Sequence, residues 1–174
     1  MKDLGLIQVY TGNGKGKTTA SLGLAFRASG HGFKICMLQF MKDCPDYGEV
    51  KAAQHLPGFV VIPVGRHDFV DLADPDPIDV ELAKKGWEKA KTVIDSGSYD
   101  IVILDEINVA MACGLIAAAD VVAYLTAVRR NVEIILTGRY APPEIIAVAH
   151  LVTDMQEVKH PYQNGVAARQ GIDY

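Results

Sequence analysis

The sequence predicts an α/β fold, a three-layer αβα sandwich around one mostly parallel sheet of about six strands. Three observations carry this. Short apolar runs alternate with helix-length segments five times before a final strand. The first run leads through a glycine-rich turn, Thr11-Gly12-Asn13-Gly14-Lys15-Gly16-Lys17-Thr18-Thr19, straight into an apolar helical stretch. The fourth run, Tyr99 to Leu104, ends in the acidic pair Asp105-Glu106. At 174 residues and 49% hydrophobic content the chain reads as one domain over 1–174 with ample material for a core.

Taken in order, Leu6–Tyr10 is the first strand and Thr18–Gly30 its helix, apolar almost all round and so expected to be buried against the sheet. Gly30 and Gly32 end that helix around His31, which reads as a capping or surface residue. Ile35–Phe40 is a continuous apolar run, the pattern of a strand covered on both faces. A polar loop, Met41–Glu49, leads to a short helix over Val50–Leu56, and Phe59–Pro63 is a third strand. Val64–Pro77, with Gly65, Arg66, His67, Asp68 and Phe69, is long and irregular enough to suggest a functional loop, with an exposed connection as the alternative.

Asp76-Pro77 starts the next helix well, because Asp caps and Pro suits the first helical position. Its buried stripe is Val80, Ala83, Trp87, Ala90 and Ile94; its lysines and glutamates form a solvated face. After the Asp105-Glu106 strand come a short segment over Ile107–Gly114 and a helix over Ala117–Val128, closed by Arg129-Arg130 near its negative pole. Glu133–Thr137 is the fifth strand, Pro142-Pro143 opens a helix reaching about His150, and Leu151–Val158 is the last strand. The turn-rich tail from Lys159 reads by composition as a disordered end.

The chemistry sits at strand ends. Gly16-Lys17-Thr18 is the second half of a phosphate-binding P-loop, although Thr11 stands where the pattern wants glycine. Glycines at 12, 14 and 16 let backbone amides curl around an anion at a helix N-terminus. Lys17 brings a cation to the phosphates, and the Thr18 hydroxyl is an oxygen ligand for Mg²⁺. Asp105-Glu106 reads as a Walker B end, so the fold expected is P-loop NTPase-like, of RecA-like type. Arg139, in Thr137-Gly138-Arg139 at the end of the fifth strand, suits a phosphate or a structural ion pair.

Composition narrows the rest. A net charge of −4 gives no basic field for nucleic acid. Cys36, Cys44 and Cys113 form neither a CxxC pair nor a zinc set, and free thiols suit a cytoplasmic protein. Neither a secretory leader nor a membrane span is expected.

The Thr-Gly-Asn-Gly-Lys-Gly-Lys-Thr-Thr form of the loop is more specific than a generic P-loop. Together with Gln39-Phe40, Lys42, Gly48-Glu49, Leu104-Asp105-Glu106, Leu136-Thr137-Gly138-Arg139, Val158-Lys159-His160 and Gly171-Ile172-Asp173-Tyr174, it resembles the P-loop ATP:corrinoid adenosyltransferases along the whole chain. That resemblance implies transfer of the 5′-deoxyadenosyl group of ATP to the Co(I) centre of a reduced corrinoid, with release of triphosphate. It implies nucleotide binding by Gly12, Asn13, Gly14, Lys15, Gly16, Lys17, Thr18, Thr19 and Arg139, with Lys17, Thr18 and Glu106 as catalytic residues. Mg²⁺ is expected on Thr18 and Glu106, with Asp105 next. Phe69 is the corrinoid-contact candidate of the Val64–Pro77 loop; some members carry aromatic residues there that displace the lower ligand, but here Phe69 is the only aromatic apart from His67, and that step is not carried over. A homodimer and an electron-donating reductase such as a flavoprotein are implied partners. About five residues precede the first strand, so an N-terminal lid seen in other members is expected to be missing or replaced. From the motifs alone, a P-loop ATPase or kinase with Glu106 as base is the alternative.

Overall fold

In the computed structural model, residues 3–67, 70–128 and 131–173 are described. Phe69 and the helix-closing pair Arg129-Arg130 lie outside the described residues. Six strands form one sheet in the order β3-β2-β4-β5-β1-β6, and every pairing is parallel. The strands are β1 (Ile7–Thr11), β2 (Ile35–Phe40), β3 (Phe59–Val64), β4 (Ile101–Asp105), β5 (Glu133–Thr137) and β6 (Leu151–Asp154). The helices are α1 (Lys17–Ser29), α2 (Gly48–Ala53), α3 (Pro77–Asp95), α4 (Ile107–Ala112), α5 (Ala118–Ala127) and α6 (Pro143–Val148).

Period-two alternation sorts the apolar strands onto two cores. Ile35, Met37, Ile101, Ile103 and Ile135 face the α1 and α2 side, with Ala25 and Ala28. Cys36, Leu38, Phe40, Val102, Leu104, Ile134 and Leu136 face the side of α3, α4 and α5. Unbroken apolar runs are therefore required in the central strands, since both faces are covered.

Trp87 lies in the core as expected, edge-on to Tyr124 with ring centroids 5.3 Å apart. On α3, Val80 is only half-buried, while Gly86 and Asp79 join the buried stripe. Asp76 caps this helix, and its backbone N–H donates to Asp79 Oδ2 at 3.1 Å.

Four expectations need correction. Helix α1 is not buried all round: Ser21, Ala25 and Ala28 pack inward, whereas Phe26 is 69% exposed. Small residues let the helix lie close to the sheet; Leu22 and Leu24 pack partly against the same core, and Phe26 is left outside it. As expected, Gly30 is its C-cap and Gly32, at φ 71°, takes the left-handed turn beyond it, with Phe33 N bonded to Ala28 O and Gly32 N to Ser29 O. Helix α2 starts earlier than expected, at Gly48. Strand β6 stops at Asp154 because the chain then turns onto the phosphate loop, where Gly14 N donates to Met155 O at 2.7 Å. The tail, too, is ordered into a short 3₁₀ helix, Pro161–Asn164, and returns to the same loop. Among the described residues no helix is long and apolar enough to cross a membrane.

Candidate functional site

Parallel strands deliver all their C-terminal ends to one edge, and the sheet order sets β1, β5, β4 and β2 side by side there. Thr11 can replace the first glycine of the P-loop pattern because the left-handed turn is taken one residue later, by Gly12 at φ 98°. The Thr11 hydroxyl instead accepts from Ala141 N at 3.2 Å, tying the loop to the segment after β5. A side chain at Gly14 would fall 2.6 Å from Gln156 O.

Three non-glycine residues take left-handed backbone conformations among the described residues: Met41 (φ 58°), Glu106 (φ 62°) and Tyr140 (φ 61°). They follow β2, β4 and β5, so each strand facing the loop exits through a strained residue.

Lys17 is buried, and its Nζ donates to Gly12 O and Gly14 O, each at 2.7 Å. Burial lowers its pKa, with Glu106 pulling the other way. Asp105 is fully buried and organises the floor. Its Oδ1 accepts from Thr18 Oγ1 at 2.8 Å and from Thr137 Oγ1 at 2.7 Å. Its Oδ2 pairs with Lys42 Nζ at 2.8 Å. Burial by itself would lower the Lys42 pKa, but the carboxylates of Asp105 and then Glu106 outweigh it and push it up. Glu106 donates its backbone N–H to Thr137 Oγ1 at 3.1 Å. Burial, then the charge of Asp105, raises the Glu106 pKa.

Two chambers open above this floor. The first, about 380 Å³, is lined by residues 14–19, Lys42, Glu106, Arg139 and part of the tail. The second, about 340 Å³, has a wall that includes Phe40, Met41, Tyr47, Val70, Leu72 and Val109. They share Lys42, Glu106 and Arg139.

Of the residues singled out in the sequence, Gly14, Lys15, Gly16, Lys17, Thr18, Thr19, Glu106 and Arg139 therefore converge on the first chamber. Gly12 and Asn13 do not line it; Gly12 supplies a carbonyl to Lys17, and Asn13 is exposed. Asp105 lies beneath it and acts through Thr18, Thr137 and Lys42.

Sequence reasoning left Lys42 and Thr137 without roles. Each lies at or just past the C-terminal end of a buried parallel strand, and that position was the available signal. It also missed Arg169 and gave no role to Asp173 of the Gly171-Ile172-Asp173-Tyr174 stretch; only the path of the tail brings both to the loop.

Residues 3–174 match the model of the family described as ATP:corrinoid adenosyltransferase BtuR/CobO/CobP. The chain is 38% identical over 172 residues to a corrinoid adenosyltransferase of Sinorhizobium sp, covering 98% of this chain and 80% of that one. It is 36% identical to one from Escherichia coli K12 (98% and 86% covered). It is 34% identical to corrinoid adenosyltransferase CobA of Salmonella typhimurium (99% and 87% covered). In fold it is similar to the flagellar accessory protein FlaH from Methanocaldococcus jannaschii, at TM-score 0.60 and 14% identity, with 87% of this chain and 71% of that chain covered.

Proposed function

The chain belongs to the ATP:corrinoid adenosyltransferase family, enzymes with ATP and a corrinoid as substrates, and from that premise we propose that it moves the 5′-deoxyadenosyl group onto Co(I) while triphosphate leaves whole. The observation that carries the proposal is the pairing of a phosphate-binding chamber with a second, more apolar chamber across the wall formed by Lys42, Glu106 and Arg139.

The cobalt lone pair attacks the 5′ carbon. The bond from that carbon to oxygen breaks, and its electron pair departs on the triphosphate. Co(I) is the nucleophile and carries no proton, so the protein needs neither a serine or cysteine nucleophile nor a general base. Two tasks remain. The reacting atoms must be held in line, and the charge growing on the leaving oxygen must be met by fixed cations and amides. The amides of residues 15–19 and Lys17 suit the second task. Arg139 and Lys42 add positive charge at the shared wall.

The donor set fits Mg²⁺. The Thr18 hydroxyl and the Glu106 carboxylate are hard oxygen ligands at the chamber floor, and Glu106 is disfavoured as a bare anion beside Asp105. Thr18 and Glu106 would hold the ion, with Asp105 orienting Thr18 from below. Bound there, the ion would neutralise triphosphate charge as a Lewis acid.

In this reading the corrinoid occupies the second chamber, residues 1–174 act as one domain, a reductase such as a flavoprotein supplies Co(I), and the working form is a homodimer. Anaerobic incubation with ATP, Mg²⁺ and chemically reduced cobalamin tests the reaction. The expected result is a light-sensitive alkyl-cobalt spectrum with one triphosphate per corrinoid converted. Release of ADP and phosphate would instead support a P-loop ATPase or kinase using Glu106 as base.

A further inference from the structure

The segment leaving β6, residues 155–173, begins and ends on the phosphate loop. At its start Gly14 N donates to Met155 O at 2.7 Å. The backbones are too close there for any side chain at Gly14, whose Cβ would lie 2.6 Å from Gln156 O. At its end Lys15 Nζ donates to Ile172 O at 3.0 Å and pairs with Asp173 Oδ1 at 2.6 Å. Between these anchors the chain turns through the 3₁₀ helix, closes with Val166 N donating to Pro161 O at 3.2 Å, and runs along the first chamber. His160, Tyr162 and Arg169 join its wall.

Asp173 is held from both sides. Lys15 of the phosphate loop takes one carboxylate oxygen; the backbone N and Nε of Arg169 take the other, at 3.0 and 3.2 Å. The hydrogen bonds from Lys15 and Arg169 hold its carboxyl well below the usual carboxylate range. The clasp engages Nε of Arg169, and a guanidinium carries further donors on its two terminal nitrogens. The loop side of the chamber already offers amides and Lys17. A triphosphate lying on that loop presents oxygens to the rest of the chamber as well, and Arg169 is the guanidinium that residues 155–173 bring to its lining.

We propose that residues 155–173 form a strap that completes the triphosphate subsite, with Arg169 a further triphosphate-binding residue and Asp173 its positioning residue. This rests on the reading that the first chamber holds the triphosphate of ATP.

Titration of the full chain with inorganic triphosphate, without corrinoid, tests it. Arg169→Ala is expected to weaken binding about tenfold, the low end for a charge-assisted contact because the side chain is half-exposed to screening solvent. Arg169→Lys should recover part of the loss, and the difference from wild type should shrink as salt rises. Asp173→Asn should also weaken binding, by loosening the clasp. Both side chains lie at the surface, and an unchanged unfolding midpoint without ligand shows that each variant is folded. Binding of Arg169→Ala at wild-type affinity overturns the strap, and so does tighter binding by Asp173→Asn, which would make Asp173 a competitor of phosphate. A wild-type chain that binds no triphosphate would overturn the underlying reading as well, so the two failures are distinguishable.

Discussion

The two chambers that meet at Lys42, Glu106 and Arg139 differ in kind. The first is framed by backbone amides at a helix N-terminus and by Lys17, with the hydroxyl of Thr18 held on buried Asp105. The second has an apolar wall of Phe40, Met41, Val70, Leu72 and Val109, with Asp43, Arg66 and His67 lining it besides the three shared residues. One suits a compact, highly charged group; the other suits the face of a large substrate. The difference teaches where a bond between the two would be cleaved. It lies at the wall that both chambers share, where two cations and one carboxylate stand. Binding of bulk and stabilisation of charge are thus assigned to different residues, and substitutions should separate them.

The largest effect is expected from Lys17→Ala, which removes the buried cation of the first chamber only. It should lower kcat/KM by about 10²–10³-fold, the range for losing one preorganised charge-stabilising donor. Steady-state kinetics with ATP and reduced cobalamin measures this, and near-normal turnover would break the comparison at its strongest point. Arg139→Ala touches the shared wall. It should cost about tenfold to a hundredfold in kcat/KM and disturb the kinetics of both substrates, where Lys17→Ala disturbs mainly ATP. Leu72→Glu places a charge at the exposed rim of the second chamber. It should raise the corrinoid KM by about tenfold and leave the ATP KM unchanged; an effect on ATP alone would reverse the assignment.

The smallest effect concerns stability. Burial and Asp105 raise the Glu106 pKa in the folded chain, so the folded state binds this proton more tightly than the unfolded state does. Stability is then lost as pH rises through the folded value. Glu106→Gln should therefore raise the melting temperature of the metal-free and nucleotide-free protein at neutral pH. The gain should fade as pH falls below the ordinary glutamate range. A lower melting temperature at neutral pH would show that the ionised carboxylate is not a burden on the fold.

Strands β2 and β5 were legible to the residue, because a strand covered on both faces must be apolar throughout and polar residues then mark its ends. The phosphate loop was legible because glycine spacing and Lys17-Thr18 report a backbone geometry directly. Its odd start at Thr11 became intelligible only with the φ of Gly12 in view. Helix α1 misled because apolar content does not say which side faces inward: Ala25 and Ala28 pack, and Phe26 does not. Lys42 gains its role from pairing with Asp105, 63 residues away, and such a pairing leaves no local pattern. The tail was opaque for the same reason. Its order comes from contacts of Met155 and Asp173 with a loop near the other end of the chain, not from any propensity of its own.

The central claim is that the bond to the 5′ carbon breaks, leaving the triphosphate intact. ATP labelled with ¹⁸O at the bridging 5′ oxygen tests it directly, by mass spectrometry of the products after reaction with reduced cobalamin. The label should be found entirely in the released triphosphate, with none in the adenosyl group on cobalt. Label retained on the nucleoside, with phosphate or diphosphate released, would mean that a phosphorus–oxygen bond is broken instead and would contradict the account.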